Sequence, residues 1–286
     1  VNSYSVDLDR IFERIAQAIG RSCVIPDRLV TDECRIKNNS CENKVAATWR
    51  RSSGDVLIRR AYTASDFSKV VSDLQSAGFH CMDIETYTVG STRYWDGLFS
   101  GEYTRSVFVS NLDQDAFNKR WNELSGSGYR LIDVETYGSG SGRRWAGMFV
   151  NGSGKHALFR NFSTDDFGKK RTELASQGYM LIDIEAYVEG SSLLWAGVWS
   201  SGTDGLLIRN YTDADFSAKH FEFEKQGNRI IDVETYVVSG KRYWAGVWEK
   251  ASETQKINRN LSYCDILEKN SVWEKDGLEI QDIEVY

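Results

Sequence analysis

The sequence predicts an α+β fold of tandem β-β-β-α repeats, five units of about 50 residues arranged as a toroid or propeller-like array. Three observations carry this expectation. The acidic phrase Asp-(Ile/Val)-Glu-x-Tyr returns at Asp83, Asp133, Asp183, Asp232 and Asp282, a spacing of 50 residues and once 49. A second phrase, Trp-(Ala/Asp)-Gly-x-(Phe/Trp), follows the first four at Trp95, Trp145, Trp195 and Trp244. Third, the two ends of the repeat region are complementary halves. Residues 44–49 align with 194–199 and supply a Trp strand with no acidic strand before it, whereas 282–286 supply an acidic strand with no Trp strand after it. Pairing Val45, Ala47 and Trp49 with Asp282, Glu284 and Tyr286 completes a fifth unit and removes two raw sheet edges. Within one chain this closes a ring; between chains it gives a head-to-tail filament. Units of this size cannot bury an apolar face alone and are stable only when stacked.

Residues 1–43 do not repeat and form a separate capping segment before the repeat domain, 44–286. Val6, Leu8, Ile11, Phe12, Ile15 and Ile19 recur at helical spacing, and Gly20 is placed to end the helix. The stretch after it holds Cys23, Cys34, Cys41 and the sole proline, Pro26, and reads as an irregular stapled segment.

Within the repeats the third copy is the clearest. Residues 181–187 alternate apolar and polar, a Gly/Ser turn at 189–192 leads into the Trp strand, and a second Gly-rich turn at 200–205 leads into a third strand, 206–210. A helix over 213–225 follows, ended by Gly227. Thr63, Asp113, Ser163, Thr212 and Ser262 stand four residues before Phe67, Phe117, Phe167, Phe216 and Ile266, and all five are preferred N-cap residues. Leu74, Leu124, Leu174, Phe223 and Trp273 come two turns later, and Gly78, Gly128, Gly178, Gly227 and Gly277 close the helices.

The net charge of −6 is spread over every unit, with no basic stripe, which excludes a phosphate-binding surface and hence nucleic acid as partner. No apolar run reaches the length of a membrane span. The chain starts at Val1 without a signal peptide, as expected of a mature, processed protein or of a trimmed sequence. The five cysteines contain no CxxC pair and there are three histidines, a poor zinc set. Cys23, Cys34 and Cys41 are disulfide candidates, which places the chain in an oxidising compartment, secreted and extracellular. Cys81 occupies the position of Leu131, Leu181, Ile230 and Ile280 and is expected to be buried, while Cys264 falls in a helix.

Asp183, Glu185 and Tyr187 share one strand face, because side chains two apart point the same way. Repetition puts ten carboxylates in register. The expected role is an ion-pair ladder with Arg60, Arg160, Arg209 and Arg259, which close the third strand; a cation site is the competing reading, and no metal or cofactor is assigned. The Trp strand suits core packing between units. Its ligand-binding alternative uses Trp95, Trp145, Trp195 and Trp244, with Tyr94 and Tyr243, as stacking platforms for sugar or peptide. Asn38, Asn151, Asn161, Asn210 and Asn260 open N-glycosylation sequons, although the Ser or Thr of the last three is also the helix N-cap. His80, His156 and His220 occupy unrelated repeat positions, and no nucleophile dyad is present, so no enzyme activity is expected.

The phrases Asp165-Asp166-Phe167 with Leu174, Gln177-Gly178-Tyr179, Tyr187 and Trp195-Ala196-Gly197-Val198-Trp199 resemble the bacterial tandem-repeat domain that also precedes the catalytic domain of secreted fungal polyglycine hydrolases. The resemblance covers about 44–286. In those hydrolases catalysis belongs to a separate β-lactamase-like domain with a Ser-x-x-Lys motif, which this chain lacks, so the resemblance implies fold and accessory character without activity. The expected function is that of a non-catalytic secreted repeat protein acting in assembly or adhesion, completed by strand pairing within one chain or head-to-tail between subunits. The alternatives are a multivalent carbohydrate- or peptide-binding module and, behind it, a hydrolase or its accessory domain.

Overall fold

The structure, a computed structural model, describes residues 43–286 apart from 53 and 252. The helix expected over 6–19, the candidates Cys23, Cys34 and Cys41, and Asn38 lie outside the described residues.

The chain opens with β1 (Val45–Arg51) and then runs through four full units. Unit 1 is β2 (Val56–Tyr62), α1 (Ala64–Ser76), β3 (His80–Val89) and β4 (Thr92–Ser100). Unit 2 is β5 (Ser106–Leu112), α2 (Gln114–Gly126), β6 (Tyr129–Tyr137) and β7 (Arg144–Asn151). Unit 3 is β8 (His156–Phe162), α3 (Thr164–Ser176), β9 (Tyr179–Glu189) and β10 (Ser192–Ser201). Unit 4 is β11 (Leu206–Tyr211), α4 (Asp213–Lys225), β12 (Asn228–Val238) and β13 (Lys241–Lys250). The last segment contributes β14 (Gln255–Leu261), α5 (Tyr263–Trp273) and β15 (Leu278–Val285).

Each unit is a three-stranded antiparallel sheet with the Trp strand in the middle, as in the order β8-β10-β9, so the third strand comes from before the helix rather than after the hairpin. The repeat is the expected one, and the hydrogen-bonded unit starts one strand and one helix earlier in the cycle. In the fifth sheet β1 is the middle strand, between β14 and β15. Val45 faces Val285 on one side and Leu261 on the other, and Ala47 faces Ile283. Lys44 and Tyr286 exchange both backbone hydrogen bonds, at 2.7 and 2.8 Å. The two half-units therefore complete each other inside one chain.

The five helices begin as their caps dictate: the side chains of Thr63, Asp113, Ser163, Thr212 and Ser262 each accept the backbone N–H three residues on. Phe67, Phe117, Phe167, Phe216 and Ile266 point from the helices into the sheets and are at most 1% exposed. The small residue of the Trp strand makes this approach possible. A Cβ on Gly97 would lie 2.7 Å from the Phe67 ring, and one on Gly197 would lie 2.8 Å from that of Phe167. Unit 5 carries Ala47 at this position, and there the helix residue is the slimmer Ile266.

No unit closes its own core. Ala146 and Met148 of unit 2 pack with Phe67 and Trp95 of unit 1, and Ala196 and Val198 of unit 3 pack with Trp145 of unit 2. Leu98 and Tyr87 of unit 1 complete the cluster of Val45, Trp49 and Ile266 at the closing seam. The acidic strands lie innermost, β3 beside β6, then β9, β12, β15, and β15 again beside β3, which makes the array a closed ring.

Candidate functional site

The ten carboxylates of the acidic strands meet around the ring axis, and none is more than 9% exposed. Each acidic strand is the edge of its own sheet, so alternate backbone N–H groups on its free side have no strand to bond. The carboxylates of the following unit take those donors. Asp183 accepts from Val134 N–H at 3.2 Å, and Asp83 accepts from Ile283 N–H at 3.2 Å across the seam. Asp133, Asp232 and Asp282 do the same for Ile84, Ile184 and Val233. Glu185, Glu234, Glu284 and Glu85 accept from Thr136, Ala186, Thr235 and Val285 at 3.1 to 3.4 Å. Two carboxylates two residues apart thus meet two edge donors two residues apart. That match gives the Asp-x-Glu spacing its physical meaning.

Burial raises the whole set. Asp133 is pushed up to about 7 and Glu185 to about 8, in both cases chiefly by loss of solvent. Asp83 and Glu85 lie well above the carboxylate range through desolvation, reinforced by the neighbouring Asp282 and Asp133 for the first and Glu284 and Glu135 for the second. Glu284 is raised likewise, first by desolvation and then by the neighbouring Glu185. The arrangement holds protons and satisfies backbone donors. Among the described residues, no group of three or more His, Cys, Asp or Glu is arranged to hold a metal ion.

The expected arginine ladder is not formed, and sheet order explains why. The third strand is separated from the acidic strand by the Trp strand, so an arginine at its end cannot span the sheet to the axis. Arg160 instead lies over Trp145 at 4.5 Å, Arg209 over Trp195 at 5.2 Å and Arg259 over Trp244 at 4.7 Å, each on the indole of the preceding unit. Arg60 has no such ring to meet, because unit 5 carries Val45 at the Trp position. It pairs with the fully buried Asp96 and lies 4.7 Å from the Tyr263 ring.

The tryptophan platforms are corrected in the same way. Trp95, Trp145, Trp195 and Trp244 are 0, 1, 0 and 2% exposed, so their faces are closed against their own helix, the next unit's tyrosine and, in three cases, an arginine. Tyr94 and Tyr243 are half-buried and stacked on Tyr87 and Tyr236 of the same hairpin, at 6.0 and 6.1 Å. A cleft that touches Trp145 lies between units 2 and 3, about 540 Å³, with Asp113, Gln114, Arg143, Asn161 and Glu189 also in its wall. Arg143 and Glu189 bridge across it at 2.8 Å.

The role of the repeated asparagine was not anticipated. Asn111, Asn161, Asn210 and Asn260 all adopt left-handed backbone, φ 58 to 64°, at the bulge that ends the third strand. Each donates its N–H to the hydroxyl of Tyr137, Tyr187, Tyr236 or Tyr286 at 2.8 to 3.0 Å. Three of those tyrosines donate back to the asparagine side chain. The signal was present in the sequence, since Asn111 keeps the position without a sequon. Asn161, Asn210 and Asn260 are exposed at the residue level, and the carboxamide of Asn161 also donates to Gln114 at 2.8 Å. Asn151, also exposed, accepts from the backbone N–H groups of Thr104 and Arg105.

These features define a class: a closed tandem-repeat ring whose repeated residues serve closure and inter-unit packing. Residues 56–99, 106–152, 158–201 and 207–251, more than half of the chain, match the family of polyglycine hydrolase-like structural repeats. The chain belongs to that family. The four matched segments coincide with units 1 to 4, while the unit assembled from both chain ends lies outside the matches. No curated protein matches the chain.

Proposed function

We propose that this chain is a secreted, non-catalytic structural ring acting in assembly or adhesion. The observation that carries the reading is the seating of β1 between β14 and β15, which pairs the two half-units of the repeat with each other and, among the described residues, leaves helices and hairpin rims as surfaces for partners. Growth by strand exchange requires that seam to open first. Light scattering and negative-stain micrographs of the full chain test the reading. Discrete five-lobed monomers are expected, and head-to-tail filaments, or hydrolysis of glycine-rich peptides, would overturn it.

A binding module is the second reading, favoured by the cleft between units 2 and 3. A glycan and glycine-rich peptide screen, repeated on Arg143→Ala, separates the two: ligand capture lost in the variant supports the module, and uniformly negative binding removes it.

A further inference from the structure

The cleft between units 2 and 3 departs from the repeat in the charge it collects. Helix α2 begins with an aspartate cap, whereas Thr63, Ser163, Thr212 and Ser262 cap the other four helices with hydroxyls. Capping alone therefore does not require the charge of Asp113. One of its carboxylate oxygens accepts the Ala116 N–H at 2.8 Å, and the other has no partner among the described residues. Asp115, in the first turn beside it, also lines the cleft and has no cation paired with it among the described residues. Across the cleft Glu189 is already engaged, accepting the Gly140 N–H at 2.7 Å and pairing with Arg143 at 2.8 Å. Arg160 lies over the Trp145 ring and is turned to Asn118. The wall thus holds three carboxylates against the single guanidinium of Arg143, and Asp113 and Asp115 are left unpaired. Together they outweigh the positive end of α2, which amounts to about half a charge.

A buried donor adjoins the same space. Trp145 is 1% exposed and lines the cleft, and its indole N–H has no acceptor among the described residues. In unit 3 the corresponding N–H of Trp195 donates to Thr164 Oγ1 at 3.0 Å. Gln114 stands at the place of that threonine in unit 2, and its carboxamide oxygen is taken by Asn161 at 2.8 Å. A donor in this position is costly unless a ligand or solvent supplies the acceptor.

We propose that this cleft binds a basic peptide segment, with a lysine or arginine side chain between Asp113 and Asp115 and a main-chain carbonyl of the same segment accepting the Trp145 N–H. The inference rests on the binding-module reading and names the ligand of that module. Sugar is the poorer match, because Arg160 and Tyr187 close the Trp145 ring and leave no face for stacking. A peptide needs no such face. It brings a cation for the two free carboxylates and a carbonyl for the free indole donor, and a space of about 540 Å³ admits one long side chain with its flanking backbone.

Isothermal titration of the full chain tests this with three probes: acetyl-Ala-Ala-Lys-Ala-Ala-amide, the same peptide with norleucine in place of lysine, and maltose as a neutral sugar. The lysine peptide should bind at least about tenfold more tightly than the norleucine one at low ionic strength, and the gap should narrow in salt of about 0.5 M. Asp113→Ser/Asp115→Asn keeps the kind of cap that Ser163 provides, and should lose at least about tenfold in affinity for the lysine peptide while folding normally by circular dichroism. Gln114→Thr supplies the hydroxyl that Trp195 uses in unit 3, so the Trp145 N–H is satisfied internally and the lysine peptide should weaken about three- to tenfold. Equal affinity for the two peptides, or full affinity in either variant, overturns the inference. Binding of maltose or the norleucine peptide alone overturns it too but leaves a module with another ligand, whereas binding of none of the three removes the module as well.

Discussion

The Asp96 carboxylate accepts the backbone N–H of Ala61 at 2.8 Å and the hydroxyl of Tyr87 at 3.2 Å. In the other four units an asparagine side chain meets the tyrosine or shares its bulge, and the position of Asp96 is an alanine. Unit 1 has exchanged the two residues' roles: Ala61 holds the left-handed bulge, φ 62°, without a side-chain acceptor, and Asp96 supplies the oxygen from the neighbouring strand. The same carboxylate pairs with Arg60, which faces the Val45 side of the seam, where no indole is available. Removing it as Asp96→Ala leaves a largely buried guanidinium unpaired and takes the acceptor from the Ala61 N–H, at an expected cost of about 3–5 kcal/mol in urea unfolding. Adding Ala61→Asn to that variant rebuilds the arrangement of units 2 to 5 and should recover about 1–2 kcal/mol. If the second substitution is neutral or harmful, the equivalence of the two arrangements is wrong.

Acid should stabilise this protein. The axial carboxyls have folded pKa values above their unfolded ones, with Asp133 near 7 and Glu185 near 8. Below the unfolded value both states are protonated and their contribution is fully present. As pH rises past about 4 the unfolded chain ionises first, and stability falls by about 1.4 kcal/mol per pH unit for each retained proton until the folded group also ionises. The melting temperature is therefore expected to be higher at pH 5 than at pH 8. Differential scanning calorimetry across that window checks the sign; a flat or rising profile means that the ring holds its charges by some other means.

The clasp between units separates acceptor from charge. Asp183→Asn keeps an oxygen for Val134 N–H and removes one carboxyl from a crowded axis, so the variant should be as stable as the parent at pH 5 and more stable at pH 8. Asp183→Ala keeps neither and should cost about 1–3 kcal/mol at pH 5. Chemical denaturation of the two variants at both pH values gives four numbers, and equal behaviour of Asn and Ala would remove the hydrogen bond from the account.

Much of this was legible in the sequence because each repeated signal has a local physical cause. Thr63 and its four counterparts cap helices, Gly78 and its counterparts end them with φ 71 to 89°, and the half-units at 44–49 and 282–286 are visibly parts of one sheet. The partners of charged residues were not legible, since they depend on sheet order. Arg160 and Asp183 are neighbours in the repeat pattern, yet the Trp strand stands between them. The buried tryptophans were ambiguous for a related reason: the same Trp-Ala-Gly phrase serves a stacking platform or a core until the next unit's Ala196 or Tyr187 is known to cover it. Substituting Trp195→Ala should consequently act as a core deletion, costing about 3–5 kcal/mol, with any ligand affinity found for the parent unchanged in the folded fraction.

The final prediction concerns the tail. Tyr286 exchanges backbone hydrogen bonds with Lys44, its hydroxyl accepts Asn260 N–H at 2.8 Å, and its ring meets Trp244 edge-on at 5.2 Å beneath the Arg242 guanidinium at 4.4 Å. Its loss therefore loosens β1, the bulge of β14 and the core of unit 4 together. Truncation of residues 282–286 goes further, because it strips Val45, Ala46, Ala47 and Thr48 of their β15 partners and removes two axial carboxylates, leaving the Val233 and Thr235 N–H groups without their acceptors. The freed β1 then has one paired edge and one bare edge, the condition that invites pairing with another chain. Single-residue removal of Tyr286 is expected to give a less stable monomer, whereas the five-residue truncation is expected to give oligomers whose mass rises with concentration. Sedimentation velocity distinguishes these outcomes, and a truncated chain that stays monomeric with the parent's melting temperature would show that the ring does not depend on its closing strand.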